Sequence, residues 1–204
     1  MGSRLTLPAL AFAALLAFAA ALPARAQTPS DSWRTLETAS FRFHYPAEAE
    51  AFARRTASRM EAVRAAVARE VGYRPPGRTE VLIEDPLARA NGSAWPVLTA
   101  PRMILYTTPP PADSVLGNYR DWGEVLTVHE EVHLAHLLRP SRNPRRHLLE
   151  SLAPLGPIAQ RSPLWVSEGY ATLLEGRLTG WGRPHGSLRA ALLRRWAQAG
   201  ALPS

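Results

Sequence analysis

Thr127-Val128-His129-Glu130-Glu131-Val132-His133 is the stretch that decides how this chain is read. It contains His-Glu-x-x-His, a pattern that places two imidazoles on one helix with a carboxylate between them. Residues four apart on an α-helix lie one turn above each other, so His129 and His133 project from one face. Two neutral imidazoles held that way suit Zn²⁺, which takes nitrogen ligands at about 2.0–2.1 Å in a tetrahedral array. Glu130 sits roughly 100° around the helix from His129. It flanks such an ion without ligating it, where a general base for a metal-activated water belongs. The flanking Val125, Leu126, Val128, Val132, Leu134, Ala135, Leu137 and Leu138 make the helix apolar around most of its circumference, and burial is expected. Charged and imidazole groups in such a helix are costly unless they find partners or a metal. Glu131 points to the far side and reads as structural.

A third donor must come from elsewhere, and two candidates compete. His136 shares the stripe of His129 and His133, but it lies about 10.5 Å of axial rise beyond His129, too far for easy convergence on one ion. Glu168 is the better candidate. It falls in Trp165-Val166-Ser167-Glu168-Gly169-Tyr170-Ala171, a helical stretch with Ser162 as expected N-cap, Pro163 at its first position and Gly176 just past its end. Gly169 leaves room there for another helix to approach.

The His129–His133 motif, followed 35 residues later by Trp165-x-x-Glu168-Gly169-x-Ala171, resembles the gluzincin zinc peptidases, particularly the peptidase-MA-like group. The resemblance covers roughly residues 120–176. It implies His129, His133 and Glu168 as ligands of one Zn²⁺ per chain, with Glu130 as general base. It further implies a peptide or protein substrate, bound in extended form along a sheet edge, for which residues 94–107 are the expected segment. An ordinary core hairpin is the competing reading of those residues. Two features depart from the family pattern. Thr172 stands where a thermolysin-type Asp would orient a ligand, and the Gly-x-Met-Glu-Asn motif of the aminopeptidases is absent, the comparable stretch reading Asn91-Gly92-Ser93-Ala94-Trp95. The second departure points to an endopeptidase.

Residues 1–26 read as a secretory signal peptide. Arg4 supplies a positive start, Leu5 to Leu22 an Ala/Leu-rich core, and Ala24-Arg25-Ala26 a small-x-small cleavage site. A retained anchor is the competing reading, but the run is near the lower limit for a span. No stable membrane span is expected after cleavage. Cysteine is absent, which excludes a lipoprotein anchor and points to a bacterial exported protein, periplasmic or extracellular, held together without disulfides. The formal charge of +7 falls to +5 without Arg4 and Arg25. Every basic residue is Arg, and the Arg residues are dispersed. The densest run, Arg139 to Arg146, has no interleaved aromatics, so nucleic-acid binding is not expected.

Residues 27–204 are long enough for one domain with a sizeable core. After a polar linker (Gln27 to Asp31), Phe41 to Tyr45 alternates as a half-buried strand does. Pro46 opens a long amphipathic helix reaching about Val71, with Phe52, Met60, Val63 and Val67 inward. Thr79–Glu84 and Met103–Thr107 are expected strands, and Ala94 to Thr99 should pair with the latter as an edge, given Pro96. A short helix is expected around His147 to Leu152. His147 reads as a surface residue, Tyr170 as packing, and His185 as a loop residue able to overhang the cleft and stabilise a transition state. Ser187 is expected to cap a last helix whose stripe of Leu188, Ala191, Leu192 and Trp196 calls for a further domain or subunit.

The expected fold is therefore α+β and zincin-like, with an N-terminal mixed or antiparallel sheet lobe, the motif helix, and a helical C-terminal part. Two rivals to an exported zinc metallopeptidase stand beside it. One is a zinc-holding scaffold without a competent cleft, against which the intact Glu130 argues. The other is a peripheral envelope protein using its basic helices on anionic surfaces.

Overall fold

Alternating apolar residues in three strands define the sheet that supports everything else. The computed structural model describes residues 32–85, 89–150, 152, 158 and 161–201; the expected leader at 1–26 and the expected linker at 27–31 lie outside these. The strands are β1 (Trp33–Glu37), β2 (Phe41–Pro46), β3 (Thr79–Glu84), β4 (Gly92–Trp95) and β5 (Arg102–Tyr106). They form one mixed sheet in the order β1-β2-β3-β5-β4, with β2, β3 and β5 parallel and the two outer strands antiparallel. Phe41, Phe43, Val81, Ile83, Met103 and Leu105 are fully buried on one face. The opposite face carries Arg42, His44 and Glu80, joined by Arg42 Nη1 to Glu80 Oε1 at 2.9 Å and His44 Nε2 to Glu80 Oε2 at 2.8 Å.

Among the described residues five α-helices follow in chain order, α1 (Glu50–Val71), α2 (Trp122–Leu137), α3 (Pro144–Glu150), α4 (Leu164–Thr179) and α5 (Ser187–Gln198). The fold is α+β, with the helices gathered after the sheet except for α1, the crossover between parallel β2 and β3. Gly72 ends α1 in the left-handed conformation at φ 71°. Among the described residues no helix is long and apolar enough to cross a membrane.

Helix α2 lies between two apolar clusters, which accounts for its burial. On the sheet side, Leu126, Leu134 and Leu138 join Met60 and the buried strand residues. On the other side, Val128, Val132 and Ala135 pack with Val63, Val67 and Val71 of α1 and with Ala171 and Leu174 of α4. Only Glu124, His136 and Leu137 of α2 are not buried. Asp121 caps the helix, its carboxylate accepting from Glu124 N–H at 3.2 Å.

Several sequence expectations are corrected. Strand β1 was not anticipated: Trp33-Arg34-Thr35-Leu36-Glu37 is exposed except at Leu36 and so lacks a clear alternation. Strand β4 starts earlier than Ala94 and stops at Trp95, since Pro96 cannot donate to the ladder. Gly176 does not end α4. It lies inside the helix against Pro184, and Gly180, at φ 72°, is the cap instead. Pro163, not Ser162, is the N-cap of α4, and Gly186, not Ser187, that of α5.

Candidate metal centre

Helices α2 and α4 pack along their lengths and bring together the three side chains singled out from the sequence. His129 Nε2 and His133 Nε2 lie 3.1 Å apart. Glu168 completes the cluster, with Oε2 at 3.4 Å from His129 Nε2 and Oε1 at 3.3 Å from His133 Nε2. One ligand atom from each residue falls within 4.8 Å of the others. The imidazoles are buried and the carboxylate is 44% exposed, so the cluster opens to solvent on the Glu168 side. Hydrogen bonds with the two histidines hold the Glu168 carboxyl well below the usual carboxylate range.

The donor set suits a zinc ion. Two imidazole nitrogens and one carboxylate are a three-protein-ligand set that leaves one position open, as in hydrolytic rather than purely structural zinc sites. His129 also has the partner such a ligand needs on its other nitrogen: Glu175 Oε2 lies 3.0 Å from Nδ1. Burial pulls the His129 pKa down, but the hydrogen bonds with Glu168 and Glu175 outweigh it and leave the ring more basic than usual. Burial pushes the Glu175 carboxyl up, yet hydrogen bonds from His129 and Arg183 hold it below its ordinary value.

Glu130 stands beside the cluster without joining it. Burial raises its pKa, and the nearby Glu168 charge acts in the same direction. It faces β4 closely: a Cβ on Gly92 would meet Glu130 Oε1 at 2.9 Å and Leu126 Cδ1 at 2.7 Å. Glycine at 92 is what lets the edge strand cross directly over this carboxylate. Glu130, the three donors and the edge residues Gly92, Ser93 and Ala94 line one cleft of about 330 Å³.

Two residues of this cleft were not read from the sequence. Glu175 lies two turns beyond Glu168 on the same face of α4, and that spacing was the available signal. It takes the orienting position that Thr172 cannot fill. Arg183, just after α4, ion-pairs with Glu175 Oε2 at 2.7 Å, and the same Nη2 lies 2.5 Å from His129 Nδ1 and 3.2 Å from its Nε2, so guanidinium and carboxylate both flank Nδ1. Of the other residues weighed, His185 departs from its expected place, while Tyr170, His147 and Glu131 fall where they were expected. His185 does not overhang the cleft, since its Nε2 lies 3.2 Å from the carbonyl of Gly176. Tyr170 packs edge-on against His136, ring centroids 4.9 Å apart, and His147 is exposed on α3. Glu131 turns away from the cluster and pairs with buried Arg64.

Compared with known proteins, the chain matches no family model, no curated protein and no solved structure.

Proposed function

We propose that this chain is an exported zinc-dependent metallopeptidase of zincin-like fold, acting as an endopeptidase on peptide or protein substrates. The observation that carries the reading is the convergence of His129, His133 and Glu168 in an open cleft with buried Glu130 beside them. Export rests on the leader-like residues 1–26.

In this reading His129, His133 and Glu168 would hold one zinc ion. Bound there, zinc supplies Lewis acidity that polarises a carbonyl and acidifies water. Glu130 accepts a proton from the attacking water as its oxygen bonds to the scissile carbonyl carbon. The raised basicity of this buried carboxylate favours that transfer. Glu130 then delivers the proton to the departing nitrogen as the C–N bond breaks, leaving a carboxylate and an amine. Glu175 keeps His129 oriented throughout. The outer edge of β4, unpaired among the described residues, offers backbone groups to an extended substrate beside Glu130.

The test is metal content and casein hydrolysis for the mature chain beside Glu130→Gln and Glu168→Ala. One zinc per chain, retained without activity in Glu130→Gln and weakened in Glu168→Ala, is the expected result. Full zinc occupancy without hydrolysis in the parent would favour the scaffold reading, and no zinc binding would remove the proposal.

A further inference from the structure

A water adding to a carbonyl carbon drives an electron pair onto the carbonyl oxygen, and that charge needs a fixed donor. Asn91 and Ser93 line the cleft only as neutral donors at its strand edge, and the other neutral donors are taken. Ser167 Oγ is committed to the carbonyl of Leu164 at 2.9 Å, and Trp122 Nε1 to that of Tyr106 at 2.9 Å. Tyr170 and His185 face elsewhere. Among the described residues Arg183 is the one cation lining the cleft.

The surroundings of Arg183 fix it in place. Its Nε and Nη2 donate to Glu175 Oε2 at 3.2 and 2.7 Å, and its backbone N–H donates to Glu175 Oε1 at 2.8 Å. Gly182, at φ 88°, donates its N–H to the carbonyl of Asn118 at 2.6 Å, and Asn118 Nδ2 returns a bond to the Gly182 carbonyl at 2.9 Å. A Cβ on Gly182 would overlap the Glu175 carboxylate, and Pro184 seats against Gly176. A guanidinium so constrained is arranged when the chain folds, with little left to organise during reaction.

Resting on the peptidase reading, we propose that Arg183 is a catalytic residue that donates to the oxygen on which negative charge develops as water adds to the scissile carbonyl. Glu175 balances the cation while the substrate is neutral, and its grip leaves Nη1 without a hydrogen bond among the described residues. When the C–N bond breaks, the electron pair returns from the oxygen to re-form the carbonyl, and Arg183 is released for the next turnover.

The competing role is purely positional, with Arg183 steering Glu175 onto His129. The two separate in zinc-loaded Arg183→Met and Arg183→Lys, assayed with a peptide substrate and with a phosphonamidate peptide analogue whose tetrahedral phosphorus bears charged oxygens. Catalysis by Arg183 lowers kcat about 10²–10³-fold in Arg183→Met with KM little changed. It weakens the analogue by a similar factor, with partial recovery in Arg183→Lys. A positional role instead lowers zinc affinity and leaves the affinity of the loaded site for the analogue unchanged, which overturns the proposal. Should Arg183→Met fail to fold, the Nε–H NMR resonance of Arg183 in the parent decides: it shifts when the analogue binds, or the proposal is wrong. A parent that binds zinc without cleaving peptide leaves the analogue arms decisive. A parent that takes up no zinc removes the peptidase reading and this role together.

Discussion

Glu175 reaches His129 from two helical turns beyond Glu168, so one face of α4 supplies both a donor to the cluster and the carboxylate 3.0 Å from the Nδ1 of a second donor. Loss of such an outer partner typically costs about 10–100-fold in metal affinity. Glu175→Gln, which keeps the shape and removes the charge, is therefore expected to weaken zinc within that range. Chelator competition measures it, and unchanged affinity would remove Glu175 from the site.

Arg64 and Glu131 form a pair with neither side chain exposed, Nε to Oε1 at 2.7 Å. The guanidinium also donates to Thr79 Oγ1 at 2.6 Å and to the Ser40 carbonyl at 3.2 Å, and lies over the Phe41 ring. Arg64→Met strands a buried carboxylate and should destabilise by about 3–5 kcal/mol, whereas Arg64→Met with Glu131→Leu should recover much of the loss. Urea unfolding of the two single variants and the double variant tests this. Additive losses would mean that the pair is not coupled.

Asp121 links the start of α2 to Arg59 of α1, with Arg59 Nη1 at 2.7 Å from Oδ2. Burial pushes its carboxyl up, but the hydrogen bonds from Arg59 and Glu124 N–H prevail and hold the pKa below the ordinary Asp value. A group depressed on folding stabilises above its unfolded pKa, about 3.9, and loses that contribution as pH falls through the folded value. The melting temperature of the parent should exceed that of Asp121→Asn at pH 6 and converge with it at the acid end. Asp121→Ala, which also removes the cap, should cost about 1 kcal/mol more broadly across pH.

Gly92→Ala places a methyl group against Glu130 Oε1 and Leu126 Cδ1, both ends of side chains rather than backbone. The fold should absorb it, and the carboxylate should move. The expected result is near-parental melting and zinc content with hydrolysis reduced at least tenfold, about 1.4 kcal/mol in the barrier. Parental turnover would show that Glu130 needs no fixed place beneath β4.

What could be read from the sequence followed from local spacing. Four-residue repetition put His129 and His133 on one face, and alternation located β2, β3 and β5 within a residue or so. The unread parts depend on distant partners. Arg64 lies on the inward stripe of α1 beside Met60 and Val63, but an arginine there makes sense only once Glu131 is known to face it. Arg183 gave no signal among dispersed arginines, because its meaning comes from a loop closed by Asn118, which lies 64 residues upstream of Gly182. Gly176 was misread as a stop because a glycine admitting Pro184 and a glycine ending a helix look alike in sequence.

The Arg64–Glu131 pair also sets the rotation of α2 about its own axis. Turning that helix by one residue, about 100°, would present Glu130 or Val132 to Arg64 and swing His129 and His133 away from Glu168. An apolar seam of valines and leucines tolerates such a slip far better than a guanidinium with one matching carboxylate does. The buried pair thus works as an indexing pin, making the orientation in which the imidazoles meet Glu168 the one in which no charge is left stranded in the core.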